Sequence, residues 1–253
     1  PFDLGSLDFL VTEMKLGILK ISSGEITNAP LLLAAARSGC KVIMSTGMST
    51  IDEVQDALGV LAFGYGPDSD TNPGTEAFAQ AFKTSKRLPG KVALLHCTTE
   101  YPSPYEDANL RAMDTLREAF GLKVGLSDHT PGIAIPIAAV GLGASVVEKH
   151  FTLDRTMAGP DHAASLEQAE LVAMVAAIRA TEAALGDGVK RLMPSEAANR
   201  EIARKSLVAR VPIAAGEMFT DDNLTSKRPG TGLSPMMYWS LVGTRAQRAY
   251  KAD

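Results

Sequence analysis

Short apolar runs alternate with amphipathic stretches from the start of the chain to about residue 186. Gly17-Ile18-Leu19-Lys20-Ile21 reads as a strand and is followed by an apolar helix over about 30–37. Lys41-Val42-Ile43-Met44 and Val92-Ala93-Leu94-Leu95 are the next two strands, with helices over about 51–61 and 109–120 after them. Val124-Gly125-Leu126 and Ser145-Val146-Val147 complete the series, separated by a helix around 133–142. The helix at 51 opens on a capping box, either Ser49 with Asp52 or Thr50 with Glu53, whose side chains satisfy otherwise orphaned backbone amides. A long amphipathic helix over about 166–185 stops at Gly186-Asp187-Gly188, where glycine accepts the backbone of a helix end.

Five strands alternating with helices imply parallel βαβ units. Two architectures compete, an open doubly wound sheet and a (β/α)8 barrel. No glycine-rich phosphate loop follows any strand, and polar residues stand at the ends of all five, where barrel enzymes keep their chemistry. The expected fold class is therefore α/β, a partial (β/α)8 TIM barrel. At roughly 30 residues per unit of a ~250-residue barrel, about three units are expected upstream, making the visible strands about the fourth to the eighth.

Residues 64–89 interrupt the rhythm. Gly64 to Gly74 is turn-rich and 75–86 predicts a short extra helix, together a surface insertion without chemistry. An incomplete barrel domain is expected over 1–188, a polar linker over 189–203, and a loop-rich module over 204–253. That module's apolar pairs are broken by Pro212, Gly216, Pro229, Gly230, Gly232 and Pro235. So small a module buries little by itself and is expected to dock on something.

Composition narrows the function classes. Apolar residues make up 45% and charged residues 21% of the 253, with net charge −4, as in ordinary soluble globular chains. No Lys/Arg-rich run appears, which argues against nucleic acid as a partner. The apolar runs are too short to span a bilayer, and nothing resembling a signal peptide is visible, so no membrane association is expected. Cys40 and Cys97 each lie beside apolar strand residues and read as buried free thiols in a reducing cytoplasm.

Candidate chemistry concentrates in Ser127-Asp128-His129 and Glu148-Lys149-His150, each at the end of an apolar strand. Strand alternation puts Ser127 with His129, and Glu148 with His150, on one face and turns Lys149 away. Two imidazoles at neighbouring strand ends, flanked by a hydroxyl and a carboxylate, are the beginning of a metal site. By themselves they are compatible with Zn, Fe, Co or Mn. Lys20 supplies a cation at another strand end, costly to bury without an anionic partner.

Seven segments together resemble the N-acetylneuraminate (sialic acid) synthase family, whose close relatives make legionaminic and pseudaminic acids. They are Lys20 to Asn28, Ser45-Thr46-Gly47-Met48, His96-Cys97-Thr98-Thr99-Glu100-Tyr101-Pro102, Ser127 to Thr130, Glu148 to Thr152, Gly159-Pro160-Asp161 and Lys227-Arg228-Pro229-Gly230. The resemblance runs in order through nearly the whole chain. It implies a barrel followed by an antifreeze-like, SAF-type domain. It also implies condensation of phosphoenolpyruvate with N-acetylmannosamine, or a related N-acyl amino sugar, and water. The products would be a nine-carbon 2-keto sugar acid and phosphate.

By the same resemblance, His129 and His150 would ligate a divalent metal, Mn2+ or Mg2+, that polarises the sugar aldehyde. Lys20, Ser23 and Ser127 would contact phosphoenolpyruvate. Lys20, Glu25 and Glu148 would be catalytic, Glu25 assisting the addition of water. Thr99, Tyr101 and Asp161 would contact the sugar, Glu148 and Asp161 holding it or ordering metal-bound water. Thr99 stands where some members carry asparagine, a difference that bears on which sugar is accepted. His96 is expected in a hydrogen-bonded supporting role and His162 as an exposed loop residue. Arg228 would reach the sugar's acyl group in the neighbouring subunit, the small module capping its partner in a domain-swapped homodimer.

Pro1-Phe2-Asp3 resemble the end of the family's third strand motif. The chain is thus expected to be an N-terminally truncated member. Upstream would lie a glutamate, a second phosphate-binding lysine and a threonine. Alone it would leave two strand edges open and show no synthase activity. Three alternatives stand beside the synthase reading: an inactive fragment, a binding or scaffold protein of the same fold, and a metal-dependent barrel aldolase. The intact set Lys20, Glu25, His129 and His150 argues against a decayed site. Pyruvate as the effective donor would mark the aldolase.

Overall fold

The computed structural model describes residues 1–67 and 72–253. Each of the five apolar runs read as strands lies in or overlaps a strand, the fifth shifted to Val147–Lys149, and each strand is followed by a helix. The elements are α1 (Leu4–Thr12), β1 (Ile18–Ile21), α2 (Ala29–Arg37), β2 (Lys41–Ser45), α3 (Ile51–Gly64), α4 (Thr75–Thr84) and β3 (Val92–Cys97). Then come α5 (Ala112–Phe120), β4 (Lys123–Asp128), α6 (Ala134–Gly141), β5 (Val147–Lys149) and α7 (Gln168–Leu185). Helix α1 escapes the pattern reading because only Leu7 of its nine residues is buried. Asp3 caps it by accepting from the Ser6 amide at 2.7 Å.

The five strands pair in parallel in the order β1-β2-β3-β4-β5. A doubly wound sheet reverses its order at a switch point; this one never does, which decides between the two architectures in favour of a barrel-type sheet. Helix-facing Leu19, Ile21, Val42, Met44, Val92, Leu94, Val124 and Leu126 form the core with Leu31, Leu32, Leu58 and Leu61.

One contact measures the sheet's curvature. Five flat strands would hold their outer members about 19 Å apart, at ~4.8 Å per step. Yet Lys20 Nζ on β1 stands 3.5 Å from Glu148 Oε2 on β5, so the sheet curls until its outer strands face each other. Four steps of about 45° in an eight-stranded barrel span half its circumference. The sheet is a curled half-barrel.

Thr50 and Glu53 form the capping box of α3, the second of the two registers expected. Residues 68–71 of the expected insertion lie outside the described residues. Its helix α4 is less peripheral than predicted: Phe78 packs edge-on against Phe63 at 5.4 Å and Phe82 against Phe120 at 6.2 Å.

Contacts divide the chain into Pro1–Gly186 and Asp187–Asp253. The second unit contains α8 (Ala197–Ala203), within the stretch read as a linker, then β6 (Ser206–Ala209), β7 (Leu224–Lys227) and α9 (Tyr238–Leu241). Strands β6 and β7 are antiparallel, over a small core of Ala209, Ile213, Phe219, Leu224 and Ala246. Among the described residues, no helix is long and apolar enough to cross a membrane.

Candidate functional site

Because Leu19 and Ile21, Met44, Leu94, and Val124 and Leu126 fill the helix-facing core, alternation sends Lys20, Ser45, Cys97, Ser127 and Glu148 to the concave face. Register aligns Cys97 with Ser127 and Ser127 with Glu148. The Ser127 hydroxyl donates to Glu148 Oε1 at 3.0 Å, while Glu148 Oε2 faces the Lys20 ammonium. Lys20 also donates to the Ile21 carbonyl at 2.8 Å. The anionic partner that the sequence argument asks for beside Lys20 is thus supplied by Glu148 from within the chain.

One layer above, the His129 and His150 rings lie 5.2 Å apart, with Tyr101 at 4.2 Å from the first and 5.3 Å from the second. His129 Nδ1 is 2.7 Å from the Thr98 carbonyl, which can only accept, so Nδ1 carries the proton and Nε2 is left as a lone-pair donor. Burial pushes the His129 imidazole down, but hydrogen bonds to Cys97 and the Thr98 carbonyl outweigh it, and the net shift is upward. The Cys97 thiol lies 3.8 Å from the same nitrogen. Burial pushes that thiol up, yet His129, Ser23 and Ser127 together bring it below its usual range. Asp161 Oδ2 stands 3.7 Å from His150 Nδ1.

Among the described residues, no group of three His, Cys, Asp or Glu converges tightly enough to enclose an ion. Two imidazoles, one of them fixed as an Nε2 donor, do fit a cation that takes its remaining ligands from water and substrate.

The other candidates fall at the rim. The Ser23 hydroxyl accepts from the Gly47 amide at 3.0 Å. A side chain at Gly47 would collide with Thr99 Oγ1 and stand 2.8 Å from Ser23 Oγ, so glycine is what lets these two hydroxyl residues close up. Thr99 Oγ1, Ser22 Oγ and Ser45 Oγ are buried with no hydrogen-bond partner. Such groups are uncommon and call for a ligand or water. Glu25, beyond β1, accepts from Asn28 Nδ2 at 2.7 Å rather than joining the Lys20–Glu148 pair. Arg228 belongs to the second unit, where its Nε donates to the Ala203 carbonyl at 2.9 Å.

Two expectations are corrected. His96 shares the helix-facing side with Leu94, and its Nε2 bonds the Ala108 carbonyl at 2.8 Å, away from the concave face. His162 is half-buried, its Nδ1 2.7 Å from Thr152 Oγ1. Sequence reasoning also passed over Cys97 and Ser45 as members of the site, although each alternates with a core residue. It missed the Asp128–Lys149 ion pair on the opposite face, at 2.5 Å and almost fully buried.

Known proteins resemble this chain along nearly its whole length. The sequence pattern of the NeuB family matches residues 1–190, and that of the SAF domain matches 204–253. An N,N'-diacetyllegionaminic acid synthase of Campylobacter jejuni is 48% identical over all of this chain and 69% of its own length. The N,N'-diacetyllegionaminic acid synthase of Legionella pneumophila is 41% identical over 96% of this chain and 63% of its own. The chain thus spans about two thirds of the length of such relatives. Among solved structures, an N-acetylneuraminic acid synthetase from Leptospira borgpetersenii, in complex with citrate, aligns at TM-score 0.64 with 36% identity, over 79% of this chain and 61% of that one. A spore coat polysaccharide biosynthesis protein from Bacillus subtilis aligns at 0.59 with 33% identity, over 99% and 68%. The chain belongs to the NeuB family.

Proposed function

We propose that the protein to which this chain belongs is a sialic-acid-type synthase. It condenses phosphoenolpyruvate with N-acetylmannosamine or a related N-acyl amino sugar and water, releasing phosphate. The observation that carries this reading is the meeting of His129 and His150 at 5.2 Å on a concave face whose mouth holds Lys20.

His129 and His150 would hold a divalent cation, Mn2+ or Mg2+, which when bound supplies Lewis-acid activation of the sugar aldehyde. Phosphoenolpyruvate, itself highly charged, would replace Glu148 as the partner of Lys20. Ser23 and Ser127 would donate to its oxygens. Glu148, released from Lys20, would turn to the sugar, with Tyr101 offering a half-exposed ring face and Asp161 a carboxylate. Glu25, held by Asn28, would accept a proton from the attacking water. Thr99 would contact the sugar, and Arg228 would reach its acyl group from the partner in a homodimer.

The test uses a longer polypeptide carrying the upstream residues of its relatives' length. It is given phosphoenolpyruvate and a panel of N-acyl amino sugars with one or two acetamido groups. Sugar-dependent phosphate release, lost in His129→Ala and Lys20→Met, is the expected result. Turnover with pyruvate in place of phosphoenolpyruvate would overturn the reading in favour of an aldolase.

A further inference from the structure

We infer that the buried pair Asp128–Lys149, on the helix-facing side of β4 and β5, is a positioning device that sets the separation of the His129 and His150 rings. The inference rests on the reading of those rings as the site's centre.

Backbone pairing stops short of the two histidines. The last laddered residues of β4 and β5 are Asp128 and Lys149, opposite each other, and the imidazoles lie one residue further on. Strand β5 has only three residues and is an outer strand of the sheet, so its ladder is the shortest of the four. With the ladder ended, something else must hold the two strand ends together.

Lys149 does so from behind. Its ammonium donates to Asp128 Oδ2 at 2.5 Å and to the Thr130 carbonyl at 2.6 Å, so one side chain grips the residue before His129 and the residue after it. Asp128 Oδ1 closes the same turn, accepting from the Thr130 amide at 3.0 Å and its hydroxyl at 2.8 Å. Both charged side chains are at most 3% exposed. Two charges taken that far out of water contribute little net stability, yet losing either one leaves the other unmatched. Their effect is geometric: neighbouring side chains of a strand point to opposite faces, so His129 and His150 point to the concave face from a backbone pinned on the other side.

Contacts outside the pair hold each histidine to a third segment, not to each other. The Ser103 amide donates to the His129 carbonyl, and the Leu166 amide donates to the His150 carbonyl, each at 2.9 Å. Among the described residues, two polar side-chain contacts thus join the strand ends: Ser127 to Glu148 on the concave face, within the ladder, and Lys149 on the 128–130 turn behind it, the one that reaches past the ladder to the residues flanking His129, with Tyr101 resting on both rings.

The test reads ring position without metal and then with it. The full chain has four histidines, so its imidazole proton resonances are readily assigned, and the Tyr101 ring shifts those of His129 and His150. Lys149→Met and the double variant Asp128→Asn/Lys149→Met are compared with the parent, helical content by circular dichroism serving as the fold control. The double variant leaves no unmatched charge and keeps an oxygen to accept from Thr130, so it decides the question where the single variant does not fold. Leu58→Ala, in the helix layer, is the control for lost stability alone. We expect the His129 and His150 resonances to move in the two pair variants and to stay in Leu58→Ala. The Mn2+ dissociation constant, from the paramagnetic resonance of the free ion, should rise at least tenfold in the pair variants. A folded double variant with both resonances in place and Mn2+ affinity unchanged overturns the inference. A parent chain that takes up no Mn2+ would instead sink the metal reading, and the ring resonances alone would then decide the positioning role.

Discussion

Replacing Gly125 by alanine should open the sheet where the site depends on it most. A Cβ at this position would lie inside the van der Waals shell of the Val146 carbonyl oxygen and 2.9 Å from Leu95 Cδ2. Leu95 can rotate away; a backbone carbonyl cannot, so β5 must move off β4. Overpacking of a well-packed interior costs roughly 1–3 kcal/mol, and a clash with backbone belongs at the upper end, about 3 kcal/mol. For a unit the size of Pro1–Gly186, each kcal/mol lowers the melting temperature by about 2–4 °C, so the expected loss is ~6–12 °C by calorimetry. The Ser127–Glu148 hydrogen bond and the Lys20–Glu148 pair both cross that seam or depend on it, so Mn2+ and phosphoenolpyruvate affinity should fall together. Gly141→Ala provides the opposite sign: its Cβ meets nothing within 4 Å in helix α6, and a gain of up to ~1 kcal/mol is expected. A Gly125→Ala chain that melts with the parent and binds both ligands unchanged would refute the reasoning.

Three further outcomes are expected. Thr50→Ala removes one half of the capping box of α3 and should cost about 1 kcal/mol, read as a lower denaturant midpoint with an unchanged slope. Burial holds the His96 imidazole below its ordinary value, which the Ala108 carbonyl only partly offsets, so the unfolded chain binds a proton that the folded chain refuses. Stability should therefore fall as pH drops from about 7 to about 5, and His96→Gln should flatten that slope; equal slopes would show that His96 contributes nothing to it. Arg228→Ala in the longer polypeptide should raise the KM for the amino sugar with little change in that for phosphoenolpyruvate, and an unchanged sugar KM would remove Arg228 from the site.

The five strands were legible because parallel strands buried on both faces are continuous apolar runs that periodicity detects. Their polar ends were harder to see: β3 runs on through His96 and Cys97, and β4 through Ser127 and Asp128, where the apolar signal has stopped. Alternation gave Ser127 with His129 and Glu148 with His150 without any structure. The same rule, applied back from Leu94, turns His96 toward the helices and Cys97 toward the site, so that signal was present and unread. The partner of Lys149 was out of reach, because a pattern tells which face a side chain takes but not which residue stands opposite. That depends on register across a crossover of about twenty residues, a quantity carried by packing. Helix α1 lacked a buried stripe, and α8 was concealed by its polarity.

The salt link between Lys20 and Glu148 joins the two strands most distant in the sheet's order. Its length is consequently a running total: every small change of tilt at any of the intervening seams is added before it reaches that gap. A substitution in β2 or β3, nowhere near either charge, would register there as a wider or narrower mouth. The gap between Lys20 and Glu148 is in this sense a gauge of the whole arc, and its width is a collective property of the fold.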